Sequence, residues 1–119
     1  MLILRKILED LIFDGELKET YTVYGKTWVL KTLNTDEQLA ATSSTKSYDN
    51  VARISAIKIA VVARSLTEVN NIALNDLTEK VEFLGSLHPQ VVDALYEKYL
   101  ELQKKQKDSL NEMENELKN

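Results

Sequence analysis

The chain has 119 residues, 44% of them apolar and 29% charged, with a formal net charge of -4 and no cysteine. That length fits one domain with a real core. The acidic balance argues against a phosphate-backbone ligand, which needs clustered Lys and Arg. The absence of cysteine excludes disulfides, thiol catalysis and Cys-based zinc sites. The nearest basic run, Lys104, Lys105 and Lys107, is closed at once by Asp108.

The first element reads as an amphipathic helix over residues 2–13, because Leu4, Ile7, Leu8, Leu11 and Ile12 recur at three- and four-residue steps. A short strand at 2–4 is the alternative. Arg5, Lys6, Glu9 and Asp10 interrupt the apolar residues at helical spacing, so this is not the unbroken apolar run of a signal peptide. No stretch approaches the length needed to cross a bilayer, and no membrane partner is expected.

Residues 16–23 and 26–33 are rich in Thr, Val, Tyr and Trp around Tyr24-Gly25, which predicts a β-hairpin. Leu17, Tyr21 and Val23 would share one face of the first strand, and Trp28 and Leu30 one face of the second. Trp28 then anchors the hairpin on the helices. An open edge of that hairpin could recruit a second copy or a client by strand addition.

At Asn34-Thr35-Asp36-Glu37-Gln38 a short helix begins, with Thr35 as cap and Gln38 as its reciprocating partner. The polar residues 42–47 close it. Asp49 or Asn50 opens a central helix over 51–69. Its stripe of Val51, Ile54, Ile57, Val61, Val62 and Leu66 is widened by alanines until the helix is apolar nearly all round, which predicts burial on most sides. Asn70-Asn71 and Asn75-Asp76 bracket a turn, and a fourth helix spans 77–87 with Leu77, Val81, Leu84 and Leu87 on one face. Pro89 suits the first turn of a last helix running close to the end of the chain. The architecture is therefore α+β and mostly helical: an N-terminal helix, one β-hairpin, then a bundle of about four helices with a long C-terminal one. Residues 1–103 form the single globular domain, and 104–119 a polar helical or frayed extension.

Along the last helix, Leu95, Tyr99 and Leu102, then Leu110, Met113 and Leu117, hold one narrow apolar stripe, broken at Gln106. So thin a stripe fits a helix that projects, pairs or frays. The stripe is either a solvated helix with a loose end or a docking face for a partner helix or a second copy.

No constellation supports catalysis. His88 is the one histidine, and no ligand or triad partner sits at suitable spacing around it. The carboxylates Glu9, Asp10, Asp14 and Glu16 read as a solvated face, and Asp36 and Glu37 as helix-start chemistry. The glycines are isolated, so no phosphate-cradling loop exists. Tyr21, Tyr24 and Trp28 could form a stacking platform for a single nucleic-acid strand, but no basic groove surrounds them. No enzyme, metal or cofactor is expected.

One resemblance adds to this reading. The stretch G-K-T-W-V-L-K-T-L-N-T-D-E-Q-L-A resembles the opening of bacteriophage tail assembly chaperones, where a strand leads into a short helix with an acidic start; Lys31-Thr32-Leu33-Asn34-Thr35-Asp36-Glu37 carries that likeness. The run from Arg53 to Leu66 is similar to a helix of that group ending in aliphatic-Ala-Arg-Ser, with Asn70-Asn71-Ile72 as the turn that follows. Phe83-Leu84 before a turn and a long polar helix is a third similarity. Baseplate-hub assembly proteins of contractile-tailed phages look similar in the same regions. The likeness spans residues 25–102 and rests on patterns of residue class. It implies a non-enzymatic protein of the bacterial host cytoplasm that keeps the tape-measure protein, or a hub protein, soluble during tail morphogenesis. The alternatives are a structural baseplate or tail-completion subunit of the virion, and a host helix-binding adaptor domain.

Overall fold

A computed structural model describes residues 16–118. The elements are β1 (Lys18–Val23), β2 (Lys26–Lys31), α1 (Thr35–Ser43), α2 (Asn50–Ser65), β3 (Leu66–Val69), β4 (Ile72–Ala73), α3 (Leu77–Gly85) and α4 (Pro89–Lys118). This is the expected helix-dominated α+β architecture with a long last helix. The helix expected over 2–13 lies outside the described residues.

The first hairpin forms where the residue pattern places it. β1 and β2 pair antiparallel with Tyr21 opposite Trp28. Tyr24 (φ 50°) and Gly25 (φ 75°) both take left-handed backbone, the geometry of a two-residue turn that matches the natural strand twist. The Trp28 indole N–H donates to the Val23 carbonyl at 3.1 Å, so the ring enters the core with its one polar group satisfied.

The sheet is larger than the single expected hairpin. Four strands lie in the order β1-β2-β3-β4, every neighbouring pair antiparallel. The central helix stops at Ser65, and residues 66–69, expected to be helical, form β3 against β2. Two features outweigh the helical spacing. Asn70 (φ 49°) and Asn71 (φ 67°) make a second two-residue turn of the same kind, which requires a strand on each side. Asn70 also binds the start of β2, its Oδ1 accepting from the Thr27 N–H at 2.9 Å while its own N–H donates to the Thr27 carbonyl at 2.8 Å.

The helix starts follow side-chain capping. Asn34, one residue ahead of the expected Thr35, caps α1: its Oδ1 accepts from the Glu37 N–H at 2.9 Å, and the Glu37 carboxylate accepts from the Asn34 N–H at 3.1 Å. The reciprocating residue is therefore Glu37, not Gln38. Asp49 caps α2 and Asp76 caps α3. The core gathers Trp28, Leu30 and Leu33 from the β2 region with Val62, Leu66, Leu84, Leu95, Tyr99 and Leu102.

The central helix is not buried on most sides. Only its second half, with Ala60, Val62 and Ala63, is enclosed, while Val51 is 81% exposed and Ile54 62%. The last helix crosses residues 103–104 without a break. It stays attached further on, because Lys105 pairs with Glu19 at 2.8 Å and the Gln106 amide donates to Thr32 Oγ1 at 3.3 Å.

Leu66 and Val51 belong to one stripe in the sequence but differ completely in burial. Leu66→Ala should destabilise the fold by about 2–5 kcal/mol, whereas Val51→Ala should cost under about 0.5 kcal/mol. Urea denaturation of the two variants checks the contrast.

Candidate functional site

Among the described residues, no group of three or more His, Cys, Asp or Glu is placed to hold a metal ion. His88 lies exposed just ahead of α4, and its carbonyl accepts from the Val91 N–H at 3.0 Å as part of the helix start. Glu16 and Glu37 both reach Lys31, at 3.7 and 2.8 Å. These carboxylates hold the start of β1 and of α1 against the end of β2 and do not converge on a pocket. No described helix is long and apolar enough to cross a membrane.

The six stripe residues of the last helix divide into two groups. Leu95, Tyr99 and Leu102 are buried in the chain's own core, against the sheet and α2. They are therefore not open to a partner. Leu110 is half-buried, beside a shallow surface groove of 570 Å³ that Leu100, Gln103, Gln106 and Lys107 also line. Met113 and Leu117 fall on the helical backbone of α4, with their side chains outside the described set.

A second groove, of 540 Å³, lies where the loop after α1 meets α2 and α3. Its apolar lining comes from Tyr48, Ala56, Ile59, Leu77 and Val81, with Ala60 and Gly85 keeping the walls low. Leu77 is 41% and Val81 39% exposed, so α3 docks by Leu84 while presenting a second apolar edge outward. Phe83 leaves by another side and stacks on Trp28, ring centroids 6.2 Å apart. Arg64, Thr78 and Glu82 give the groove a polar rim with one charge of each sign, and the buried Thr45 lines it from beneath. Two of these are held in place: Arg64 donates to the Ala60 carbonyl at 2.9 Å, and Thr45 Oγ1 accepts from Arg53 Nε at 3.2 Å. Leu77 and Val81 were legible as one face of a helix. That this face stays open was not, because spacing reports an apolar side without saying what covers it.

Electrostatic shifts mark the packing of β1 on α4. The Lys105 ammonium bonded to Glu19 holds that carboxyl below its usual value, against a smaller opposing effect of burial. The Tyr21 hydroxyl is buried beside the Glu19 carboxylate. Burial first, and then the neighbouring Glu19 charge, push it up to about 12. Burial likewise raises Tyr99. Burial first, and then the nearby Lys31 charge, lower Lys80.

Set against known protein families, curated proteins and solved structures, the chain matches none.

Because the folded state holds the Tyr21 proton more tightly than the unfolded chain does, stability is intact below pH 10 and falls as pH rises from 10 to about 12. Tyr21→Phe should reduce this alkaline loss. At pH 7 it should change stability by under about 1 kcal/mol, because the cost of burying the hydroxyl and its interaction with Glu19 oppose each other. Denaturation midpoints across pH 7–12 for the wild type and the variant measure both effects.

Proposed function

We propose that this chain is a non-catalytic helix-binding protein that acts as a bacteriophage tail assembly chaperone in the bacterial host cytoplasm, with a tape-measure or baseplate hub protein as its client. The observation that carries the reading is the groove between α2 and α3. It is apolar on its floor, bounded by Ala56, Ala60 and Gly85, and rimmed by charges of both signs. Small residues let a second backbone come close, and an apolar floor with a polar rim suits the anchor residues of an amphipathic helix. The client class comes from the sequence likeness over residues 25–102. A long helical client carries apolar stripes that aggregate when bare, and covering them takes binding without chemistry. An acidic carrier also stays soluble and favours a basic client.

The buried Leu95, Tyr99 and Leu102 do not serve this role, and a charge at Leu102 would break the core before it reported on binding. Val81→Asp is the suitable probe, because Val81 is exposed on the groove edge. Tagged protein recovered from phage-infected cells should bring down a tape-measure or hub protein identified by mass spectrometry. Val81→Asp should cut that recovery at least about tenfold, as loss of one good apolar anchor does, with unchanged circular dichroism. Undiminished recovery by Val81→Asp would remove the groove from the reading. Presence of the protein in mature particles, with only tube or baseplate proteins bound, would assign it instead to the virion's structure.

A further inference from the structure

The two edges of the sheet differ in how open they are. β4 is two residues long and Asp76 caps α3 soon after it, so it offers another strand little to pair with. β1 is six residues long and pairs with β2 without a shift in register. It holds no proline, and its one outward charge, Lys18, sits at its end. The direction of each backbone group on β1 follows from its neighbour. The Thr27, Val29 and Lys31 carbonyls point away from β1: they accept from the Asn70 N–H at 2.8 Å, the Thr67 hydroxyl at 3.3 Å and the Ser65 hydroxyl at 2.6 Å. The residues opposite them are Thr22, Thr20 and Lys18. In an antiparallel ladder, directly opposed residues either bond each other or both turn away. The N–H and C=O groups of Lys18, Thr20 and Thr22 therefore face outward, and among the described residues no backbone group meets them. Their side chains are exposed as well.

We propose that this edge pairs with the same edge of a second copy, β1 against β1 antiparallel about a two-fold axis, joining two four-stranded sheets into one. Only one register uses Lys18, Thr20 and Thr22 together. Thr20 lies opposite the partner's Thr20, and Lys18 opposite the partner's Thr22. Each such pair exchanges both of its bonds, about six backbone hydrogen bonds in all. The side chains suit self-pairing. A cross-strand threonine pair is favourable, and each lysine meets a threonine instead of a like charge. The two Lys18 positions are offset along the strands by about 14 Å at ~3.4 Å per residue, beyond the screening length of about 8 Å at physiological salt. On the other face Glu19 lies opposite the partner's Tyr21, and its charge is already matched by Lys105 of its own chain. α4 flanks β1 with Lys98, Glu101 and Lys105, so the approaching flanks carry both signs. No residue of β1 lines the α2–α3 groove, and the pairing does not rest on the proposed client. It leaves both grooves open, so a long helical partner can engage two weak sites at once and gain avidity.

Sedimentation equilibrium of the full chain across a concentration series tests the pairing. The wild type should dimerise. Thr20→Pro removes an N–H that the chain's own sheet does not use, a change an edge strand tolerates. It should weaken dimerisation at least about tenfold, as loss of about two backbone hydrogen bonds does, with circular dichroism and the urea midpoint unchanged. The absence of cysteine allows a second readout that keeps the edge intact. Thr20→Cys sets two sulfurs across the two-fold axis at a Cα spacing of about 5.5 Å, within disulfide range, so mild oxidation should link the dimer. Ile72→Cys, exposed on the opposite edge, should not link. A wild type that stays monomeric up to about 1 mM would overturn the proposal. So would a dimer that Thr20→Pro leaves as tight as before, or that Thr20→Cys fails to link, because the contact would then lie elsewhere. A monomeric wild type whose recovery of a client is lost in Thr20→Pro would overturn it by assigning the edge to a client strand.

Discussion

The fold depends on a helix that becomes a strand with no loop between them. Ser65 ends α2 and Leu66 begins β3. The Leu66 N–H still donates to the Val62 carbonyl, while its residue already pairs with Leu30 in the sheet. Ser65 Oγ, fully buried, donates to the Lys31 carbonyl at 2.6 Å. Without a flexible joint, the axis of α2 and the position of β3 cannot vary independently. The β2 register shifts between Val29 and Leu30, where it meets this corner, and such an irregularity lets one strand bend to meet another element. A few consecutive residues then tie most of the molecule together. Leu30 fills the core, the Lys31 carbonyl holds the corner, and Lys31 Nζ holds Glu16 and Glu37. Thr32 binds the start of β1 and α4, Leu33 is buried, and Asn34 opens α1.

How far this was legible in the sequence follows from which forces were local. The first hairpin, the Asp49 cap and the helix after Pro89 rest on chemistry within a few residues, and pattern reading locates them. The cap of α1 shows the limit of that method. Asn34 with Glu37 and Thr35 with Gln38 are equally good boxes on paper, and the strand that precedes them decides which is used. β3 was missed for a nonlocal reason. Ile59-Ala60-Val61-Val62-Ala63-Arg64-Ser65-Leu66 continues smoothly as helix, and Val69 falls on its stripe. Against that stood Thr67 and Val69, both β-branched, and the Asn70-Asn71 pair, a residue type that tolerates left-handed backbone. Weighing that pair as a hairpin turn, instead of a helix end, would have recovered the strand.

The last helix makes a related point about sites. Leu95, Tyr99 and Leu102 have the same spacing as Leu110, Met113 and Leu117, yet the first three lie inside the domain. Periodicity establishes that a helix face is apolar. Whether its cover is the chain itself or a partner depends on where the other elements go, and here α2, β1 and β2 pack on the first part of α4. The same reasoning corrects the central helix. Its alanine-rich surround suggested burial on most sides, but α3 and α4 cover only the C-terminal half, leaving Val51 and Ile54 exposed.

These placements bear on how tightly a helical client could be held. The α2–α3 groove offers Tyr48, Ile59, Leu77 and Val81 as its larger apolar contacts, all partly covered before binding. Full burial of one aliphatic side chain contributes about 1.5–3 kcal/mol, and a half-exposed one correspondingly less. Association costs about 4–15 kcal/mol in lost motion before any net affinity appears. The two ranges overlap, so three or four client side chains in a groove of this size leave little net affinity, far short of the nanomolar range. On the proposed reading that weakness fits the task, because a carrier has to let its client go. α3 is suited to the compromise: Leu84 fixes it to the core, and Leu77 and Val81 remain at the rim.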